Sequence, residues 1–206
     1  MPDVPMSAEE RTRLRAILID PDADEPRLSF ADWVETSDPA RAAMIRHQVE
    51  NPDEETTDRV TFAAWGARDV IVRRGFAEAM SLTGRSFVSL SDRLFAATPL
   101  RDVRLIAVNF LMADLVLCPN LAKLRRLELQ GNQIGREGLA LLAACPYLSH
   151  LLELNLARNG LDDETVPLIL RSTWAPVRVL TLTGNRFSPA AIAELTSTFG
   201  TRVRIA

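Results

Sequence analysis

The chain has 206 residues, 47% of them hydrophobic and 25% charged, with a formal net charge of −3. That length allows one domain or two small ones with a sizeable core. The mild acidity argues against a nucleic-acid binder that works by neutralising phosphates, and two cysteines are too few for a disulfide scaffold.

The N-terminus, MPDVPMSAEER, has no basic region followed by an apolar run, so no signal peptide is expected. No stretch reaches 18 apolar residues, so no membrane span is expected either. A cytoplasmic protein is the expectation. Ser7 with Glu10 forms a capping box, and Leu14, Ile17 and Leu18 then share one helical face.

Asp20, Asp22 and Asp24 follow at the alternate spacing of a calcium loop. The sixth position is Glu25 rather than Gly, the twelfth is Ala31 rather than Glu, and Pro26 sits between. The stretch therefore reads as an acidic turn between helices. A second helix is expected from Glu25 or Pro26, with Leu28, Ala31 and Val34 on its apolar side and Phe30 and Trp33 adding bulk. Asp38-Pro39 is a helix start, since Asp caps and Pro fits the first position. Ala42, Ile45 and Val49 make the third stripe, and NPDEETT (51–57) ends it. A fourth helix is expected to carry Val60, Ala63, Ala67, Val70 and Ile71. No strand pattern stands out before residue 76.

The second half repeats. LRRLELQGNQI (124–134), LLELNLARNGL (151–161) and VRVLTLTGNRF (177–187) share L-x-x-L-x-L-x-x-N-x-L, with Val177 and Phe187 as apolar variants. The asparagines Asn132, Asn159 and Asn185 are 27 and 26 residues apart, since 159 − 132 = 27 and 185 − 159 = 26. This is the leucine-rich-repeat signature and period. The L-x-L core is a short strand with leucines inward and the residues between them outward. The Asn side chain satisfies turn backbone that no strand neighbour reaches, so the three are structural. A helix follows each: 135–145, 162–172 (short, because Pro167 belongs in a first turn) and 188–200, opened by Ser-Pro and stopped by Gly200.

Cys118 and Cys145 occupy the same slot of successive repeats and read as small buried residues. Upstream, Leu100, Val103 and Leu105 continue the pattern, with Val108 in place of Asn. FAEAMSL (76–82) is a further candidate strand before a helix near 86–97, and RVRIA (202–206) a closing one.

These repeats, GNQIGREGLALLA above all, resemble the ribonuclease-inhibitor-like class of leucine-rich repeats. Residues 14–50 resemble the bacterial repeat-companion domain. They carry its acidic turn (Asp20 to Asp24), Pro26-Arg27-Leu28, Ala31-Asp32-Trp33, Asp38-Pro39, Arg41-Ala42 and Ile45-Arg46-His47-Gln48. RRGFAEAM (73–80) resembles the junction between those two parts. The resemblance implies an α/β leucine-rich-repeat solenoid over 76–206, of four to five strand–helix units, after an all-helical cap over 1–75. It implies that Asp22 or Asp24 caps the second helix. It also places Phe30 and Trp33 in the helical core, with Arg27, Asp32, Arg41 and Arg46 pairing around it.

No motif carries chemistry. His47 and His150 lack metal-ligand spacing, and no nucleophile elbow or phosphate loop occurs. We expect no enzyme, no cofactor and no metal. The expected working surface is the outward sheet face, with Arg104, Arg126, Glu128, Gln130, Glu153, Asn155 and Thr181 as candidate contacts to an unidentified protein. Neither nucleic acid nor membrane is an expected partner, and a monomer is favoured. Two other readings stay open. One is regulation of a small GTPase, by likeness to Ran-type activators; the other is self-assembly.

Overall fold

A computed structural model describes residues 6–205. The stretch MPDVP, on which the reading of the N-terminus partly rests, and Ala206 of the closing stretch lie outside them. The chain divides into two compact units. One holds the residues up to Met80 with Asp92–Leu100; the other holds Ser81–Ser91 with everything from Arg101 onward.

In the first unit, α1 spans Ala8–Ile19, α2 Glu25–Val34 and α3 Pro39–Glu50. The Ser7 side chain accepts from the Glu10 amide at 3.0 Å, and Asp38 accepts from the Arg41 amide at 3.0 Å. Each satisfies an amide with no partner inside its helix. Leu14, Ile17, Phe30, Ala31, Val34, Ala42, Ile45 and Phe76 form one buried cluster, with Trp33 at its edge. Phe30 meets Trp33 and Phe76 edge-on, with ring centroids 5.5 and 5.2 Å away.

Arg41, expected to pair, instead lies over the rings of Phe30 and Phe76. Three further expectations fail in this unit. The first is Asp24 as a side-chain cap of α2. The Asp24 side chain makes no capping bond and instead lies 3.6 Å from Arg74. The second is the face of α2: Leu28 is 37% exposed, whereas Arg27 is fully buried. Arg27 Nη2 donates to Glu78 Oε1 at 2.6 Å and to the Pro21 carbonyl at 2.8 Å, and Nη1 donates to the Arg74 carbonyl at 3.1 Å. Arg74 adds bonds to the carbonyls of Pro21 and Asp22 and to the same Glu78 oxygen. The acidic turn is thus held through its carbonyls by two guanidinium groups that share one carboxylate. A buried ion needs such a partner set. Burial still lowers the Arg27 pKa to about 10, with Glu78 opposing the shift.

The third failure is the fourth helix, and with it the all-helical cap. Residues 56–83 are largely extended: β1 is Thr56–Asp58, β2 Arg68–Arg73 and β3 Phe76–Thr83, with a short 3-10 turn at Ala63–Trp65. β1 and β2 pair antiparallel, Thr56 opposite Val72. Arg74 and Gly75, both at positive φ (49° and 80°), join β2 to its neighbour β3. Two such residues make the two-residue hairpin turn whose twist suits its strands. A Cβ on Gly75 would also lie 2.1 Å from Ile45 Cγ1. The supposed helical stripe is split: Val60 is 77% exposed while Val70 is buried. β-branched DVIVR (69–73) reaches its lowest energy as a paired strand.

β3 and the following helix α4 (Gly84–Ala97) contribute residues to both units. In the second unit the strands are β4 (Asp102–Ile106), β5 (Arg126–Glu128), β6 (Glu153–Asn155), β7 (Val179–Thr181) and β8 (Val203–Arg204). Each pairs in parallel with the next, and Val103, Leu127, Leu154 and Leu180 lie in one register line. Between the strands come α5 (Met112–Leu115), α6 (Gly135–Ala143), α7 (Val166–Leu170) and α8 (Pro189–Phe199), each packed on the next. α7 is short, as Pro167 in its first turn requires.

The leucines of the L-x-L cores are buried throughout, and Trp174 is fully buried with its Nε1 donating to the Leu142 carbonyl at 3.1 Å. Cys118 and Cys145 are free and buried, and burial raises the Cys145 pKa. No helix among the described residues is long and apolar enough to cross a membrane.

Candidate functional site

The parallel register of β4 to β8 puts alternate side chains on one outer face, in rows across the strands. Asp102, Arg126, Glu153 and Val179 form the first row. Arg104, Glu128, Asn155, Thr181 and Arg204 form the second. Gln130 follows two residues after Glu128 and is half-buried; Ala157, on the same alternation, is buried to 3% and presents almost no surface.

The rows differ in how their charges are used. In the first, Arg126 Nη2 donates to Glu153 Oε1 at 2.9 Å, and Nε lies 2.9 Å from Oε2. This pair answers itself, and being half-exposed it is worth little to stability. In the second row, Arg104, Glu128 and Arg204 make no side-chain hydrogen bond or ion pair with another described residue. Asn155 Oδ1 accepts from the Ala157 amide at 3.0 Å, which fixes its side chain against its own strand. The rows border a shallow depression of about 360 Å³, lined by Arg126, Glu128, Glu153, Asn155, Thr181 and Arg204.

All seven residues proposed from the sequence fall on these outward positions, Arg104 exposed and the other six half-buried. Arg204 was missed as part of the face. Its signal was present in the alternation of RVR (202–204), since β8 pairs Arg204 with Thr181.

Behind the face runs a chain of asparagine side chains. Asn132 Oδ1 accepts from the Val108 amide at 3.1 Å, and its Nδ2 donates to the carbonyls of Leu105 and Leu129 at 2.8 and 2.9 Å. Asn159 Oδ1 accepts from the Asn132 amide at 2.9 Å, and its Nδ2 donates to Leu129 at 2.9 Å. Asn185 Oδ1 accepts from the Asn159 amide at 2.9 Å, and its Nδ2 donates to Leu156 at 3.0 Å. The residue before each slot has positive φ: Ala107, Gly131, Arg158 and Gly184. Among the described residues no group of three or more His, Cys, Asp or Glu is placed to hold a metal ion.

A family model described as leucine-rich repeat matches residues 120–143 and 147–165. The matches cover β5 with α6, and then β6 with the turn that follows it. Strand, asparagine turn and helix in parallel succession, together with this match, support a leucine-rich-repeat protein. No curated protein matches the chain. Leucine-rich repeats generally mediate protein–protein interaction, and the family is typically non-enzymatic.

Proposed function

We propose that the chain is a protein-interaction module that binds a partner protein through the outward, concave face of a short ribonuclease-inhibitor-like solenoid. The part read from the sequence as residues 1–75 would be its companion domain, of the bacterial kind, and 76–206 the repeat part. The observation that carries the reading is the second row. Arg104, Glu128 and Arg204 stand on one row of the sheet without a side-chain partner among the described residues. Free charges of mixed sign on a fixed backbone suit a complementary protein surface, where they set specificity and on-rate.

The test is an affinity capture with wild type beside the double variant Arg104→Glu, Glu128→Arg. That exchange conserves the charge of the row and leaves the Arg126–Glu153 pair intact. A protein retained by wild type and lost by the variant supports the reading, provided both melt at the same temperature. A protein retained equally by both refutes it.

A further inference from the structure

A second cavity lies wholly within the first unit and has a volume of about 530 Å³. That is within the usual range for small-ligand sites, roughly 300–1,000 Å³. Its walls are mostly apolar: Met44, Phe62, Val72 and Ala77 line it.

Three charged residues break that lining: Arg41, Asp38 and Asp58. The Arg41 guanidinium lies over the ring of Phe30 at 4.9 Å and that of Phe76 at 5.7 Å. Those contacts hold its plane, yet among the described residues it has no hydrogen-bond or ion-pair partner. A guanidinium carries five donors in a fixed fork matched to a carboxylate. Its rotameric freedom is already restricted by the rings, so less is lost when an anion binds.

The two carboxylates are fixed as firmly. Asp38 Oδ1 accepts from the Arg41 amide at 3.0 Å; Asp58 Oδ1 accepts from the amides of Val60 and Thr61 at 2.8 and 3.0 Å. Neither carboxylate forms an ion pair with a described cation. The cavity therefore offers one oriented cation, two oriented anions and an apolar wall.

We propose that this cavity binds a small zwitterion with an apolar side chain, of the chemistry of an α-amino acid or a short peptide. The carboxylate lies on Arg41, the ammonium on Asp38 and Asp58, and the side chain against Met44, Phe62 and Val72. A lone anion would meet two carboxylates and a lone cation would meet Arg41, so a ligand carrying both charges is favoured over either. The cavity volume leaves room for more than one residue.

The test uses calorimetry on the full chain with leucyl-leucine, L-leucine, N-acetyl-leucyl-leucine and leucyl-leucinamide. Saturable binding of the free dipeptide is expected, with about a tenfold loss on blocking either terminus, the scale of one charge-assisted hydrogen bond. L-leucine binding as tightly as the dipeptide would assign the site to a free amino acid. Arg41→Gln should abolish binding. Because that change also removes two ring contacts, Asp58→Asn serves as a second variant. Its amide oxygen still accepts from Val60 and Thr61, so the fold is kept while the charge is lost, and binding should weaken about tenfold. No saturable heat at about 10 mM dipeptide, where only affinities below the ordinary millimolar range escape, would overturn the proposal. So would equal binding of the blocked peptides, or wild-type affinity in Asp58→Asn.

Discussion

Asn159→Ala is the sharpest probe of the repeat architecture. Asn159 is buried to 1%. Its side chain accepts from the amides of Asn132 at 2.9 Å and Ile134 at 3.4 Å, and donates to the carbonyls of Leu129 at 2.9 Å and Ala157 at 3.2 Å. Truncation strands the buried amides of Asn132 and Ile134, while the Leu129 and Ala157 carbonyls keep bonds from Asn132 Nδ2 and the Gly131 amide. Each amide costs about 1–3 kcal/mol when left unpaired. Counting those two amides, the loss is about 2–6 kcal/mol, a large part of a typical domain's stability of roughly 5–15 kcal/mol. Asn185→Ala removes bonds of similar length, but that side chain is only half-buried. The groups it leaves belong to buried residues, but water can enter through the half-exposed site the side chain vacates and replace part of its bonds, so the loss should be smaller than at Asn159. Urea unfolding read by Trp174 fluorescence measures both, in a background of Trp33→Phe and Trp65→Phe so that the signal comes from the repeats alone. A loss at Asn159 no larger than at Asn185 would refute the account of the asparagines as buried backbone caps.

Four further outcomes are expected. Leu154→Ala, at a position buried to 1%, should cost about 2–5 kcal/mol; an unchanged melting temperature would refute the register of β5, β6 and β7. Gly75→Ala should destabilise the first unit severely, since it meets both an adverse φ of 80° and a 2.1 Å approach to Ile45; a wild-type melt would show the hairpin drawn wrongly. Cys145 should resist alkylation in the native protein and react on unfolding, because burial raises its pKa and so depletes the thiolate; rapid native labelling would contradict this. The Asp163 carboxylate is held below its ordinary pKa by the Ser188 hydroxyl and amide. A lowered folded pKa gives a contribution that is present above the unfolded value and is lost as pH falls through the folded one. Asp163→Asn should therefore flatten the acid limb of the stability curve below about pH 4, and an unaltered limb would count against the contact.

The repeats were legible because their physics is local. Strand alternation, an asparagine two residues before an apolar closer and Ser-Pro at a helix start each act within a few residues, so pattern and structure coincide. The same holds for the seven outward residues, which follow from alternation alone. The N-terminal region was less legible because its decisive contacts are distant. Arg27 is buried because Glu78, 51 residues away, and the Pro21 carbonyl receive it; no local pattern ranks Arg27 above Leu28 for the interior. The helix expected over 60–71 failed for the same reason. Val70 and Val72 are fixed by pairing with β1, and the turn at Arg74-Gly75 that makes a hairpin of β2 and β3 was read only as a junction. The cavity around Arg41 depends on stacking against Phe76, 35 positions on, since 76 − 41 = 35.

The asparagine chain also explains why one repeat lacks its asparagine. Every side chain in it reaches backward: Asn185 serves the turn of Asn159, Asn159 that of Asn132, and Asn132 that of Val108. Each also donates to a carbonyl of the preceding repeat, at Leu156, Leu129 and Leu105. A turn therefore depends on the asparagine that follows it more than on its own. Val108 is tolerated because its amide is already taken by Asn132, and its own side chain is fully buried. Asn185 is the one of the three left half-buried rather than buried. Replacing Val108 by Asn would place an amide at a fully buried position, and should destabilise. An Asn at 108 that raised the melting temperature would mean that an asparagine in this slot finds partners of its own, and the account of why valine is tolerated there would fall.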